Sequence, residues 1–474
     1  MADENTKSNL PPLTLHIPEP KFRPGDTVDY SDLQIPEAGA QRRPDINTAP
    51  KDMQDIVYDM VRVLDDDHKA VGPWDPKLDD EILLKMLRTM VQVRTFDDRL
   101  HRQQRQGKTS FYMKCTGEEA TSVAAAMALH SDDMCFPSYR QQGILFVRGY
   151  PMIEMVNQIF SNKADKLKGR QLPIMYSSSE LNFFTVSGNL TTQYPQAVGW
   201  AMASASKGDS RIAAAWCGEG STAEGDFHAA MTFAAVYNAP VIMNVVNNQW
   251  AISSFSGFAG AERTTFAARG AGYGIAALRV DGNDPLAVYA ATSWAAERAR
   301  TNQGPTLIEH FTYRAEAHST SDDPTAYRSA QEREEWPLGD PIMRLKRHLI
   351  QRGVWSEEQQ EALDAECLEA VKETVKEAAK TAYWATVCTS LSKPCSRTCS
   401  KKCPGTSRNK PNRPIRNGKS NGRHEYDRGY QQRPRKYDGT RRRCRDHGRG
   451  CRLFWRCFPR HSGPAGEVRQ DPLF

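Results

Sequence analysis

Apolar positions fall at helical spacing from Asp79 onward: in LDDEILLKMLRTMVQVRTFDDRLHRQQRQ the Leu, Met, Val and Phe residues line one face behind an acidic start that suits a helix N-terminus. Beyond residue 200 the pattern changes to short apolar runs with β-branched character: RIAAAWC (211–217), APVIMNVV (239–246), LRVDG (278–282) and PTLIEHFTY (305–313). Between them lie small-residue or charged stretches of helical character, AEGDFHAAMTFAAVY and DPLAVYAATSWAAERAR. This alternation predicts an α/β fold, a mainly parallel sheet with helices on both faces. Residues 331–382 are expected to add two surface helices, from EREEWPLGDPIMRLKRHLIQRGVW and SEEQQEALDAECLEAVKETVKEAAKT. Residues 1–70 are rich in Pro and polar residues, too poor in periodic apolar positions for a core of their own. They are read as an extended arm preceding a main domain at 71–330.

Composition splits the chain. Residues 1–382 carry 40 Lys+Arg against 51 Asp+Glu (net −11), whereas 383–474 carry 23 against 6 (net +17), so the basic balance of the 474-residue chain belongs to its tail. Cysteine divides the same way, with four in the body (Cys115, Cys135, Cys217, Cys367) and seven in the tail. The body therefore reads as a reduced enzyme without a disulfide framework. No apolar run reaches the ~18 residues of a membrane span. The first residues lack the basic and apolar regions of a secretory signal and the Arg-rich character of a transit peptide, so a cytoplasmic location is expected, with no membrane.

Candidate chemistry sits where the strand RIAAAWC runs into GEGSTAEG. Ligands of open α/β sheets bind beyond the carboxyl ends of the strands. Gly218 and Gly220 would let the backbone turn tightly and a ligand approach, and a helix from about Thr222 would offer its free N–H groups to a phosphate. Glu219 repels such a phosphate unless a divalent cation lies between them. Mg²⁺ takes carboxylate, amide or carbonyl oxygens together with phosphates and water, and the next strand ends in Asn247 and Asn248, which would supply the amide oxygen. Cys217, ahead of the motif on an apolar strand, is read as packing.

GEG, followed about thirty residues later by NN, resembles the thiamine diphosphate motif. With SFYMKCTGEEA (110–120), PSYRQQG (137–143), SGNLTTQYPQAVG (187–199), RVDGNDPLAVY (279–289) and YRAEAHSTSDDPTAYR (313–328), the body over about 15–381 is similar to the alpha subunits of the decarboxylating component of bacterial branched-chain 2-oxo acid dehydrogenase complexes. The resemblance implies a thiamine-diphosphate-binding fold at 71–330, holding the diphosphate module. It implies that Glu219 and the Asn248 side chain bind Mg²⁺, with the Trp250 carbonyl as third protein ligand. Tyr139, Arg140 and His318 would hold the diphosphate, Gly188, Leu190, Gly218, Gly220 and Ser221 would line the cofactor, and His318 would also be catalytic. Ser187, Thr192 and Gln193 match a monovalent-cation (K⁺) site ordering the loop around Leu190.

Three departures bear on these assignments: Ser138 stands where some relatives have Gln, Gly188 and Asn189 replace a Ser-Pro pair, and Val246 replaces an Arg at the diphosphate. The implied reaction is oxidative decarboxylation of branched-chain 2-oxo acids, with transfer of the acyl group to a lipoyl-bearing acyltransferase. The Glu that activates the cofactor's aminopyrimidine would come from a separate beta subunit, in an α₂β₂ assembly. A pyruvate or acetoin dehydrogenase alpha subunit is the alternative, and Ser319 matches a position phosphorylated in mitochondrial relatives.

The tail fits none of this. RRRCRDHGRGCR could bind phosphate backbones and CSRTCSKKC spaces three cysteines, but the paired CxxC halves of a zinc module are missing, and no nucleic-acid partner is expected. From Tyr383 the helical period stops while Arg and Cys content jumps. Read two nucleotides later, codons for Thr389–Ser407 can encode QPLQALFEDVFKEMPWHL, similar to the end of the alpha subunit. Read one nucleotide later from His424, the tail can encode a segment containing GEDVGYFGG, similar to the start of the beta subunit. The expectation is a frameshift near codon 382 and a tail without ordered structure or function.

Overall fold

The computed structural model describes residues 14–383, so the expectation for the tail lies outside the described residues. In chain order the elements are α1 (Asp80–Arg105), α2 (Glu119–Met127), β1 (Met134–Phe136), α3 (Gly143–Val147), α4 (Met152–Ile159), α5 (Gln193–Ser206), β2 (Ala213–Gly218), α6 (Gly225–Val236) and β3 (Val241–Asn247). The short hairpin strands β4 (Trp250–Ala251) and β5 (Ser254–Phe255) follow, then α7 (Ala268–Gly272), β6 (Ala276–Asp281), α8 (Pro285–Arg300), β7 (Thr306–Phe311), α9 (Pro341–Gln351) and α10 (Glu357–Ala378). Five strands form one parallel sheet in the order β1-β2-β3-β7-β6.

Side chains on successive strand residues enter opposite layers, as the two-residue period requires. Ala213, Ala215 and Cys217 of β2, with Val241, Met243 and Val245 of β3, pack in one layer with Tyr194 and Ala197 of α5 and Phe227 and Met231 of α6. Ala214 and Trp216 of β2, with Ile242 and Val246 of β3, enter the opposite layer with residues of α1, α2 and α8. Both faces are thus buried, and each large apolar side chain removed from water there contributes roughly 1.5–3 kcal/mol. Small residues let α2 lie close: Ala120, Ala124 and Ala125 are fully buried. Asp284 starts α8 by accepting from the Leu286 and Ala287 N–H groups ahead of Pro285, and Asp340 does the same for α9.

The helix expected from Asp79 is α1, with Asp79 as its N-cap residue. α9 and α10 lie against the main body, Leu345, Leu349, Leu363, Cys367, Val371 and Val375 turning inward. Residues 14–70 hold no α-helix and no named strand. Their second half is nonetheless built into the body: Met53, Ile56, Val61, Val63 and Leu64 are buried in the main core, and Val61 bridges in parallel to Val280 of β6. Apolar residues that dock irregular chain onto an existing core need no period of their own, so none was visible in the sequence.

Candidate active site

The sheet register sets two strand ends side by side. Gly218 at the end of β2 pairs with Val246 of β3, so Glu219 leaves β2 next to where Asn247 and Asn248 leave β3. Glu219–Ala223 form one 3-10 turn, and α6 begins only at Gly225. The helix expected from about Thr222 is therefore interrupted: Glu224 is extended (φ −74°, ψ 146°), its N–H donating to the Ser221 carbonyl at 3.1 Å.

Packing, too, bears on the two glycines. Gly218 has an ordinary φ of −77° and open space where a side chain would stand. A Cβ on Gly220 would come within 2.4 Å of the Ala251 Cβ, so the turn can lie against β4 only with glycine there. Thr191, left-handed at φ 64°, donates its hydroxyl to the Ser221 carbonyl at 2.7 Å and ties the neighbouring loop to the same turn.

After Asn248 the chain reverses through Gln249 (φ 73°) into the β4–β5 hairpin, where Ile252 is left-handed too (φ 56°). A β-branched residue in that region is strained by about 1–3 kcal/mol and persists where its surroundings over-determine it. Trp250 supplies that anchoring. Its indole N–H donates to Glu332 Oε2 at 3.2 Å, its ring packs on Tyr327, and its carbonyl accepts from Arg314 Nη1 at 2.7 Å.

A cavity of about 590 Å³ opens at this edge of the sheet, and Tyr139, Arg140, Gly188, Leu190, Gly218, Glu219, Gly220, Ser221, Asn248, Trp250 and His318 all line it. The three residues expected around a monovalent cation are not among the cavity's lining residues. The Ser187 hydroxyl accepts from the Asn189 N–H at 3.1 Å, the Thr192 hydroxyl donates to the Asn189 carbonyl at 3.2 Å, and Gln193 Nε2 donates to the Trp216 carbonyl at 2.6 Å. Val246 is buried in the core, offering no polar atom where an Arg was noted as missing. Ser138 is held by Gln141, whose Oε1 accepts from its N–H and hydroxyl.

Charge in the cavity is arranged in two groups. Glu219 is 1% exposed; its Oε2 accepts a long 3.3 Å bond from the Asn248 N–H, and its Oε1 is buried with no partner. Burial raises its carboxyl to about 7, and the nearby Glu118 adds to the shift. Asn248 donates its Nδ2 to Glu118 Oε1 at 2.8 Å, while its Oδ1 has only a 3.3 Å contact from the Trp250 N–H.

In the second group, buried Arg140 donates from Nη2 to the His318 carbonyl at 2.7 Å, with His318 Nδ1 at 3.1 Å. Its guanidinium also bonds the Lys114 carbonyl and lies 5.5 Å from the centre of the Tyr139 ring. Burial, then Arg140 and Arg314, push the His318 imidazole down to about 3. The ring is neutral at neutral pH, and Nδ1, facing a group that can only donate, is its acceptor; Nε2 carries the proton.

Among the described residues no three His, Cys, Asp or Glu side chains gather as a metal cluster. A cation here needs amide and carbonyl oxygens beside a single carboxylate, which is the set that Glu219, Asn248 and Trp250 present. The unpartnered Glu219 Oε1 is the observation that fits it: a buried carboxylate oxygen without a donor is unfavourable unless a ligand completes it. The Trp250 carbonyl keeps a second lone pair beyond its bond to Arg314.

Sequence patterns did not single out Glu118, Arg314 or the apolar lining residues Phe111, Met113, Leu172, Met175, Ile252 and Phe258. Two adjacent acids in KCTGEEA, ahead of a helix of small apolar residues, were the available signal for Glu118. Nothing local marks the apolar lining, which converges from separate loops. Cys217 is buried and its thiol is pushed up to about 12, so it stands as packing.

The sequence matches the family described as "Dehydrogenase E1 component" over residues 87–386 and that described as "2-oxoisovalerate dehydrogenase E1 alpha subunit N terminal" over 11–51. It is 61% identical over 370 residues to the 2-oxoisovalerate dehydrogenase subunit alpha of Pseudomonas aeruginosa, covering 77% of this chain and 90% of that protein. It is 40% identical over 344 residues to the mitochondrial 2-oxoisovalerate dehydrogenase subunit alpha 1 of Arabidopsis thaliana (72% and 70% covered). The corresponding human mitochondrial subunit is 44% identical over 305 residues (64% and 68%).

Proposed function

This chain belongs to the dehydrogenase E1 component family, and from that premise we propose that it is the alpha half of a cytoplasmic, thiamine-diphosphate-dependent enzyme that oxidatively decarboxylates branched-chain 2-oxo acids. The observation that carries the reading is the pairing, in one cavity, of a buried carboxylate with an unpartnered oxygen at Glu219 and the Arg140–His318 pair.

Glu219, the Asn248 amide oxygen and the Trp250 carbonyl would hold Mg²⁺, and Arg140, Tyr139 and His318 would hold the diphosphate. When bound, thiamine diphosphate would supply both a nucleophilic ring carbon and a cationic ring that acts as electron sink for decarboxylation. The chain's own part is to hold, orient and keep dry. Arg140 gives a charge-assisted donor fixed by the Tyr139 ring and the Lys114 carbonyl. Neutral His318 offers its Nε2–H to an anionic or developing oxyanion oxygen. Phe111, Met113, Leu172, Met175 and Leu190 make an apolar flank suited to an aliphatic substrate side chain. Ser187, Thr192 and Gln193 would serve K⁺ through the two hydroxyl oxygens, both bonded to Asn189, and the Gln193 amide oxygen, whose Nε2 is tied to the Trp216 carbonyl.

A beta subunit is part of the same reading. The outer face of α6 exposes Phe233 and Val236, with Tyr237 at its C-cap, more than half accessible each. An apolar helix face of this kind on a helix already packed inside is a subunit contact. The lipoyl-bearing acyltransferase would then accept the acyl group. Among the described residues no helix is long and apolar enough to cross a membrane.

The frameshift reading of the tail stands as a proposal with it. Its support is that the family match stops at residue 386, close to the compositional break. Resequencing the locus, with the intact mass of the protein in cells, decides it: an unbroken frame through Phe474 and a full-length mass would overturn it.

Co-expression with the beta subunit and assay of decarboxylation across branched 2-oxo acids, longer linear 2-oxo acids and pyruvate tests the function. The highest kcat/KM is expected on the branched acids. Preference for pyruvate would favour the pyruvate dehydrogenase reading.

A further inference from the structure

We propose that Glu118 is a positioning residue of the cation site, the group that decides which end of the Asn248 amide faces the metal. The proposal rests on the cation-site reading above and deepens it. The two ends of an Asn amide are nearly the same shape, yet the oxygen binds a cation and the NH₂ repels it. Glu118 Oε1 receives Asn248 Nδ2 at 2.8 Å. In its ionised form Glu118 only accepts, so it takes the NH₂ end of that amide and Oδ1 is turned away from it. Oδ1 keeps only a long 3.3 Å contact, from the Trp250 N–H, and so remains available to a cation. The main chain is gripped from the other side, where the Asn248 N–H points to Glu219 Oε2 at 3.3 Å. Asn248 is thereby held between two buried carboxylates. The same Glu118 Oε1 lies 3.8 Å from Arg140 Nε, which joins the cation side of the cavity to the diphosphate side.

Local structure does not account for Glu118. It occupies the N-cap position of α2 but makes no side-chain cap bond, and its Oε2 is buried without a partner. The next residue shows what a structural carboxylate looks like in the same turn: Glu119 accepts from Arg94 Nε at 2.7 Å and from the Gly117 N–H at 2.9 Å, using both oxygens.

The test is Mn²⁺ binding, read by electron paramagnetic resonance on the α₂β₂ assembly saturated with thiamine diphosphate, for wild type, Glu118→Met, Glu118→Gln and Glu219→Gln. Glu118→Met keeps the length and apolar bulk without an acceptor and should weaken Mn²⁺ binding about 10–100-fold, the usual effect of losing a group that orients a ligand. Glu118→Gln retains a carbonyl oxygen for Asn248 Nδ2 and should recover most of that loss, which a role as negative charge would not produce. Wild-type Mn²⁺ affinity in Glu118→Met, or a Gln variant as weak as the Met variant, overturns the proposal. Glu219→Gln separates the two claims: its loss of Mn²⁺ binding is expected, and wild-type binding there would overturn the cation-site reading itself.

Discussion

Two groups of buried carboxylates differ in one respect that separates scaffold from site. At the sheet edge, Asp281 and Asp284 are fully buried and every oxygen is used. Asp281 accepts from the Asn283 N–H and Arg344 Nη1, and Asp284 accepts from the Leu286 and Ala287 N–H groups on one oxygen and the Val63 and Leu64 N–H groups on the other. At the ends of β2 and β3, Glu118 and Glu219 are as deeply buried, and each keeps one oxygen with no partner. Burial is equal, so burial alone cannot distinguish function from structure; the state of the acceptors does. Asp284 sews residues 63–64 to the start of α8, whereas Glu219 keeps a buried oxygen without a partner, which the proposed cation would take.

Removing a saturated carboxylate should be the larger injury to the fold. Asp284→Ala strips four N–H groups of their acceptor and leaves Arg344 with one acid fewer, and should lower unfolding free energy by about 3–5 kcal/mol. Urea unfolding of the assembled enzyme checks it, and a loss under about 1 kcal/mol would break the contrast.

At the site the injury should move from stability to binding. Arg140→Ala should lower cofactor affinity by about 1.5–3 kcal/mol, the range for a hydrogen bond to a charged group, in calorimetric titration with Mg²⁺ present. His318→Ala, which removes a neutral donor, should lose less, about 0.5–1.5 kcal/mol. The reverse order would mean that the imidazole, not the guanidinium, is the main anion contact.

The smallest effect is on pH dependence. The His318 imidazole ionises near 6.5 in an unfolded chain and only near 3 in place. The unfolded chain therefore binds the extra proton between those values. The stability this neutral group supports is complete above pH 6.5 and is lost as pH falls toward 3. His318→Gln should flatten that part of the acid unfolding profile of the cofactor-free enzyme, and an unchanged profile would show the ring already protonated in the fold.

Much of this was legible in the chain because the signals are local. RIAAAWC and APVIMNVV are strands buried on both faces, and such strands read as continuous apolar runs. GEG and NN stand where the strands end, so parallel neighbours bring them together. Less legible were features fixed by distant contacts. The turn at 219–223 lies against β4 through the close approach of Gly220 to Ala251, about thirty residues away in sequence. The docking of residues 53–64 depends on a core built by later elements. Glu118 looks no different from Glu119 in TGEEA; only the fold shows that one meets Arg94 and the other Asn248.

Thermal unfolding of the α₂β₂ assembly, wild type against Glu219→Gln, with and without Mg²⁺ and thiamine diphosphate, tests most directly the claim that an unsatisfied buried carboxylate marks the site. Without ligands, Glu219→Gln should unfold at the same or a higher temperature than wild type, since it removes a carboxyl whose charge burial disfavours and whose Oε1 has no partner. With ligands, wild type should rise in Tm as binding to the folded state requires, and the variant should not. A Glu219→Gln enzyme that is less stable without ligands yet keeps the full ligand-induced rise would make Glu219 a structural residue and contradict the account.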